Sequence, residues 1–201
     1  MLLITSSLCV LFYAVSLTNA QLFAWSYGPC PEIPRKQNFD LQKYVGKWYN
    51  SETFPAPFQF AMDCITAEYT LKPDGTVKVN NSAVRDIKIF GKTIFKQPTY
   101  IIGEAKVLDP SKPADLYVKF PGQPEFDKTR ANYLVLDTDY VNYSLVYSCS
   151  RLASIFPKVE FAWILGRVRG QKPAQTDQLK ALLTSYKVNV KNFKTVDWSS
   201  C

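Results

Sequence analysis

Apolar and polar residues alternate along much of the chain after residue 46, and this pattern predicts a protein built mainly from strands. In segment 64–72 the apolar side chains share one face of the predicted strand: Ile65, Ala67, Tyr69 and Leu71. A period of two residues is typical of a strand with one buried side. A Pro-Asp-Gly turn follows and the alternation resumes in segment 76–80, so the two segments are predicted to form a hairpin.

Other segments also have the composition of strands and are joined by short connections. They are residues 47–53, 99–108, 116–120, 132–136, 143–148 and 161–167. With the hairpin they make eight consecutive strands, which favours an antiparallel sandwich or barrel. Residues 21–39 are rich in proline and aromatic residues and are expected to form an irregular lead-in.

A helical period occurs late in the chain. After Pro173, apolar residues recur at the spacing i, i+3, i+4 and i+7, at Leu179, Leu182, Leu183 and Tyr186. This stripe predicts a helix that packs its apolar side on the outside of the sheet. A short strand or extended tail is expected at 193–198. Residues 40–201 contain no internal repeat and no linker, so residues 21–201 are predicted to form a single domain.

Residues 1–20 have the pattern of a secretory signal peptide. Segment 8–17 is almost entirely apolar, residues 2–20 carry no charge, and Ala20 ends a run of small residues typical of a cleavage site. The apolar run is too short to cross a membrane, which takes about 20 residues. A buried strand is the alternative interpretation. We therefore expect a secreted, extracellular protein.

Cleavage at this site would remove Cys9 and leave four cysteines, at Cys30, Cys64, Cys149 and Cys201. An even number in a secreted chain predicts disulfides throughout, and from sequence alone the pairing is open. No pair has the Cys-x-x-Cys spacing of zinc or redox sites. Two N-glycosylation sequons begin at Asn80 and Asn142, which are therefore candidate glycosylation sites.

The chain of 201 residues has a net charge of +7 and contains no histidine. Without histidine it builds neither a Ser-His-Asp nor a Cys-His catalytic site, and no histidine-ligated haem or zinc site. Catalysis through Asp, Glu, Lys or Tyr remains open, but it is disfavoured. The basic residues are dispersed and match no recognition motif, so a basic solvated surface is preferred to nucleic-acid binding.

Three separated motifs carry a more specific signal. Segment 38–49 contains Gly46-Lys47-Trp48, a second motif is Thr138-Asp139-Tyr140, and segment 161–167 ends in Arg167. In this order they resemble the G-x-W, T-D-Y and arginine motifs of the lipocalin family, in particular its apolipoprotein D and insect bilin-binding group. The resemblance covers residues 28–201. It implies an all-β fold, an eight-stranded up-and-down antiparallel barrel with one late helix packed outside.

The resemblance also implies structural roles. The cysteines would pair as Cys30–Cys149 and Cys64–Cys201. Trp48 would close one end of the barrel with Arg167 stacked on its ring, a cation–π contact worth about 0.5–2 kcal/mol. Asp139 would cap nearby backbone donors. The full set assigned to this closure is Gly46, Trp48, Thr138, Asp139, Tyr140 and Arg167.

Residues that match the family's cavity lining are Tyr69, Arg85, Tyr133 and Trp163. An aromatic lining suits an apolar ligand, and plain core packing is the alternative for each aromatic side chain. Ala83 stands where an acidic residue is expected beside Arg85. An arginine without that neighbour favours a ligand with an anionic group, such as a carboxylate.

We therefore expect a carrier that holds a small hydrophobic molecule without transforming it, such as a lipid acid, sterol, retinoid, carotenoid or bilin. Neither a metal nor a cofactor is expected, and a chromophore would be a non-covalent ligand. No catalytic residue is assigned. A lipocalin-type isomerase is an alternative, but it needs a free cavity thiolate that disulfides would remove. A module that binds a protein or a membrane is another alternative.

The expected mouth loops are unusually apolar. One is segment 54–60, and the other carries Ile87, Ile89, Phe90, Ile94 and Phe95, spaced by Lys88, Lys92 and Lys96. Apolar loops next to lysines suit contact with a membrane or lipoprotein surface. Mutual packing of the loop side chains is the alternative.

Overall fold

The computed structural model describes residues 24–90, 92–122, 128–151, 156–199 and 201. The expected signal peptide and Cys9 lie outside these residues. The strands within them are β1 (Ala24–Ser26), β2 (Gly46–Thr53), β3 (Met62–Leu71), β4 (Val77–Ile89), β5 (Lys92–Val107), β6 (Asp115–Lys119), β7 (Tyr133–Thr138), β8 (Tyr143–Ser150), β9 (Lys158–Gly166) and β10 (Lys194–Thr195). The helices are α1 (Leu41–Tyr44) and α2 (Thr176–Ser185), with short 3₁₀ turns at Pro57–Gln59 and Val190–Asn192.

Strands β2 to β9 pair with their neighbours in chain order, and β9 returns to pair with β2. All of these pairings are antiparallel, so the strands close an up-and-down barrel. The predicted fold class is confirmed. Closure removes the free edges that an open sheet would expose. Two short strands extend the sheet, with β1 beside β9 and β10 beside β2.

The lead-in and the second mouth loop differ from the sequence expectation. Residues 24–26 form β1, whereas the lead-in was expected to be irregular. The apolar segment around Phe90 was expected to be a loop, but β4 and β5 continue through it as a long hairpin that pairs as far as Ile89 and Lys92. Apolar residues fall on both faces of this hairpin, so the alternation that marks a half-buried strand is missing from the sequence.

Helix α2 packs on the outside of the barrel, as its apolar stripe predicts. Leu179 and Leu183 are buried between the helix and the barrel wall, and Leu182 and Tyr186 pack at the edge of this outer core. Full burial of one such leucine contributes about 1.5–3 kcal/mol. The helix is also held by charge, because Lys180 forms an ion pair with the buried carboxylate of Glu52 on β2.

The disulfides are Cys30–Cys149 and Cys64–Cys201, the pairing that the family resemblance implied. The first joins the lead-in to β8, and the second joins the end of the chain to β3. Their cysteines lie 119 and 137 residues apart in sequence. Each bridge therefore ties a terminal segment to the barrel.

Strands β2 and β3 pair over only part of their length. Their register runs from Gly46 opposite Tyr69 to Tyr49 opposite Thr66. Beyond this point the segment after α2 lies between them: Lys194 pairs with Thr53 of β2, and the Asp197 carbonyl accepts a hydrogen bond from the backbone N–H of Cys64 (3.1 Å). The segment 194–197 therefore completes the barrel wall. Among the described residues, no helix has the length and apolar character needed to cross a membrane.

Candidate ligand cavity

One end of the barrel is closed by Trp48. Its side chain is fully buried, and its indole Nε1 donates to the carbonyl of Tyr44 (2.9 Å). The Arg167 guanidinium lies 3.6 Å above the indole ring. It also donates to the backbone carbonyls of Lys47 (2.8 Å) and Val45 (3.0 Å). Arg167, directly after β9, thus binds the backbone at the start of β2 and just before it.

Gly46 fits this arrangement for a steric reason. Its backbone has φ of +94°, a conformation that L residues with a side chain rarely adopt. A β-carbon at this position would lie only 3.3 Å from the guanidinium Nη1 of Arg167. Glycine therefore allows the arginine to reach the carbonyls around Trp48.

The Thr138-Asp139-Tyr140 motif forms the turn between β7 and β8 at the same end. One Asp139 carboxylate oxygen accepts from the backbone N–H groups of Asn142 (2.7 Å) and Tyr143 (3.0 Å). Burial opposes ionisation of Asp139, but these hydrogen bonds and one from the Asn142 side chain outweigh it and lower the carboxyl pKa. Thr138 Oγ1 donates to the Tyr143 carbonyl and accepts from the Tyr140 N–H.

A chain of hydroxyl groups crosses the interior above Trp48. The Tyr133 hydroxyl lies 2.8 Å from that of Tyr69 and 3.0 Å from that of Tyr44. Tyr44 in turn lies 2.9 Å from Ser144 Oγ. Burial raises the pKa of Tyr44 to about 12 and raises the pKa of Tyr69 and Tyr133 above the usual range of tyrosine. At neutral pH these phenols are therefore protonated.

An aromatic column continues from Tyr133 toward the opposite end. Trp163 stacks on Tyr133 with ring centroids 6.4 Å apart, and Phe161 stacks on Trp163 at 6.0 Å. The exposed Phe58 packs against Phe161 at 5.4 Å. Gln59 Oε1 accepts from the Trp163 indole N–H (3.2 Å), which links the column to the turn between β2 and β3. We call the end reached by Phe58 the mouth.

Two open volumes lie near the ends of this column, one beside Tyr133 and the other beside Gln59. A cavity of about 20 Å³ is lined by Tyr44, Tyr69 and Tyr133 and by aliphatic side chains such as Leu116 and Val118. A crevice of about 220 Å³ lies at the mouth, where Phe60, Met62 and other apolar residues face segment 194–196. A ligand larger than these volumes would have to displace aromatic side chains of the column.

The structure brings together three of the four expected lining residues. Tyr69, Tyr133 and Trp163 are in contact through hydroxyl and ring interactions. Arg85 is exposed and lies toward the far end of β4, where it pairs with Met62 of β3. A charged ligand group that meets Arg85 would therefore sit at the mouth and not among the tyrosines. The assignment of all four residues to ligand binding remains a prediction.

Sequence reasoning missed the side-chain amides whose buried atoms have no hydrogen-bond partner among the described residues, of which Asn50 and Asn81 are examples. Asn50 is 2% exposed, and within the described part of the chain neither its Nδ2 nor its Oδ1 has a hydrogen-bond partner. Asn81 has a buried Oδ1 that is likewise unpartnered among the described residues. An unsatisfied buried polar group costs about 1–3 kcal/mol. The inward orientation of Asn50 could have been predicted from its position, because it follows the inward-facing Trp48 by two residues on a strand.

The two sequons lie in different surroundings. Asn142 is exposed in the turn before β8, and its amide Nδ2 donates to Asp139 Oδ2 (2.6 Å). Asn80 is half-buried in the middle of β4, between Glu68 of β3 and Ile102 of β5. Both remain candidate glycosylation sites.

Comparisons with known proteins agree with the architecture. A family profile described as "Lipocalin-like domain" matches residues 39–197. Apolipoprotein D of Mus musculus is 36% identical over 202 residues, which cover 100% of this chain and 96% of that protein. Purpurin of Gallus gallus is 33% identical over 146 residues, which cover 72% of this chain and 70% of that protein.

Solved structures extend the comparison to the fold. Insecticyanin from the tobacco hornworm Manduca sexta superposes with a TM-score of 0.68 at 23% identity, covering 88% of this chain and 90% of that chain. Lobster apocrustacyanin A1 superposes with a TM-score of 0.67 at 21% identity, covering 88% and 93%. At these identities the likeness is one of barrel architecture.

Proposed function

Because this chain belongs to the lipocalin family, we propose that it carries a small hydrophobic molecule, held non-covalently inside the barrel. The observation that carries the proposal is the aromatic column, which begins at the buried tyrosines and ends at the mouth. The opposite end is closed by Trp48 and Arg167. A tube with one closed end and an apolar aromatic lining suits a ligand that is mainly hydrocarbon.

The ligand classes that fit are lipid acids, sterols, retinoids, carotenoids and bilins. Affinity would come mainly from apolar area removed from water, at about 25 cal/mol per Å² before the costs of association. A bilin or another chromophore would be bound without a covalent link, because the four cysteines among the described residues form disulfides with one another.

The protein is proposed to hold its ligand without transforming it. A lipocalin isomerase would use a cysteine thiolate as nucleophile, and Cys30, Cys64, Cys149 and Cys201 are all paired. The buried tyrosines are protonated at neutral pH and are suited to hydrogen bonding more than to proton abstraction. Export from the cell is part of the proposal, since disulfides of this kind persist in oxidising compartments.

The carrier function is tested by isolating the protein natively from a secreting host and extracting it with organic solvent. We expect mass spectrometry to find one small hydrophobic compound in near-equimolar amount, and an absorption spectrum to reveal any chromophore. Protein that is unfolded, washed and refolded serves as the control and should release nothing. If the native protein also releases nothing and takes up no retinol or fatty acid, the carrier function is wrong.

We also propose that the hairpin of β4 and β5 touches membrane or lipoprotein surfaces. Its tip presents four exposed apolar side chains, Ile89, Phe90, Ile94 and Phe95. Lys92 beside them is exposed, and Lys96 lies 3.6 Å from Asp86. Apolar side chains enter the interface of a bilayer while neighbouring lysines meet anionic headgroups.

Vesicle flotation tests this surface. Wild-type protein should float with vesicles of phosphatidylcholine and phosphatidylserine, and Ile94→Ser/Phe95→Ser should lower the bound fraction at least about tenfold, given the apolar area removed. Val141→Ser/Val168→Ser is the matched control, because both valines are exposed outside the hairpin. Equal, negligible flotation of wild type and of the hairpin variant would contradict the proposal.

A further inference from the structure

The side chain of Asn50 is placed inside the barrel by its strand. Asn50 follows Trp48 by two residues on β2, and it pairs with Leu165 of β9. Trp48 and Leu165 both belong to the interior cluster that also contains Tyr69 and Val146. Since residues two apart on a strand share a face, and paired residues of neighbouring strands do so as well, the Asn50 amide faces the interior.

The backbone around Asn50 holds this orientation. Its carbonyl accepts a hydrogen bond from the Trp198 indole N–H (3.0 Å). A bulge in the pairing with β9 follows directly, so that Glu52 pairs with Ile164 and turns to the outer core, where Lys180 binds it. Asn50 is therefore the last inward residue of β2 before the bulge, above the closure by Trp48.

The side-chain amide of Asn50 needs partners for both its donors and its acceptor. Nδ2 offers two N–H donors and Oδ1 accepts, and within the described chain neither atom is satisfied by protein. A leucine of similar size could be buried at this position without needing any hydrogen-bond partner. A buried polar group that its own protein leaves unpaired is expected where a ligand supplies the partner.

We propose that Asn50 selects the polar end of the ligand and prefers one that is uncharged and both donates and accepts a hydrogen bond. A hydroxyl, a neutral carboxyl or a lactam meets this description. An ionised carboxylate only accepts, so it would leave Oδ1 unpaired. It would also lie in an interior cluster of apolar and tyrosine side chains, where a buried charge needs a partner. The inference rests on the carrier function proposed above.

The test uses three retinoids that share the same hydrocarbon skeleton and differ in their polar end group. They are retinol, its methyl ether and ionised retinoic acid. The ether keeps the acceptor of retinol and lacks its donor. Binding is followed by quenching of tryptophan fluorescence in unglycosylated protein. We expect wild type to bind retinol about tenfold more tightly than the ether or the acid, the discrimination that one satisfied hydrogen bond supplies. Asn50→Leu should lose this preference, because retinol would lose its bonds to both Nδ2 and Oδ1, whereas the ether would lose only its bond to Nδ2.

Asn80→Leu is the matched control. Like Asn50, Asn80 has a buried Oδ1 without a partner among the described residues. Asn80 is next to the inward-facing Val79 on the same strand, so its own side chain faces outward. Asn80→Leu should leave the retinol-to-ether ratio unchanged. Asn50→Ala removes the amide without adding bulk and replaces Asn50→Leu if the leucine variant does not fold. Both Asn50 variants should melt no lower than Asn80→Leu.

The outcomes separate the two proposals. If wild type binds retinol and the ether equally, or if the Asn50 variants keep the wild-type ratio, Asn50 does not select the ligand although the protein still carries one. If ionised retinoic acid binds most tightly, the preference for an uncharged end is wrong. If wild type binds none of the three and yields no ligand on extraction, the carrier function itself is wrong.

Discussion

Removing the disulfide between the lead-in and β8 should lower the free energy of unfolding by about 4–5 kcal/mol. The change is Cys30→Ser together with Cys149→Ser. These residues lie 119 apart in sequence, and in the chain-entropy view a bridge that closes so long a loop restricts the unfolded chain by about this amount. Urea denaturation followed by tryptophan fluorescence measures the difference.

The matched comparison is Cys64→Ser with Cys201→Ser, which opens a loop of 137 residues. Chain entropy depends only weakly on loop length, so the two variants should lose nearly equal stability. A loss below about 1 kcal/mol for the Cys30/Cys149 variant would contradict the expectation. It would mean that the unfolded chain keeps the lead-in close to β8 without the bridge.

Trp48→Ala should destabilise the protein by about 3–5 kcal/mol, the range for a fully buried tryptophan. Trp48 has no exposed surface, and its removal leaves Arg167 without the ring on which the guanidinium lies. The arginine keeps its backbone acceptors, so the loss arises mainly from the cavity and the missing stack. Thermal and urea denaturation give the measurement.

Trp25→Ala is the control for Trp48→Ala, because Trp25 is 52% exposed. Its effect should stay within about 0.5 kcal/mol, as for most surface substitutions. If both variants lost the same stability, the burial of Trp48 would not be a main source of the protein's stability.

Elements whose fold depends on local pattern were predictable from the sequence. The alternation in β3 and the stripe of Leu179 and Leu183 in α2 each need one buried face, and the residues themselves display it. The hairpin tip around Phe90 was not predictable in this way. Its two strands are held by backbone hydrogen bonds to each other. This pairing does not require apolar and polar residues to alternate along the sequence.

The site depends on features that a local pattern does not contain. Asn50 and Glu52 are two residues apart and would share a face on a regular strand. Asn50 keeps the inward face that Trp48 sets, whereas the bulge that follows it turns Glu52 to the outside, toward α2. Arg85 shows a similar limit, since its exposure depends on how far β4 runs past the barrel, and motif spacing says nothing about that.

The wall segment 194–197 has a consequence for the order of events in the cell. It follows every strand of the barrel in the chain, yet it fills the gap that β2 and β3 leave between them. While the ribosome is still making β9, this side of the barrel is open, and Cys201 is not yet present to bridge Cys64. The barrel wall is therefore complete only after residues 194–201 have been synthesised, and we expect a ligand to be taken up after translation.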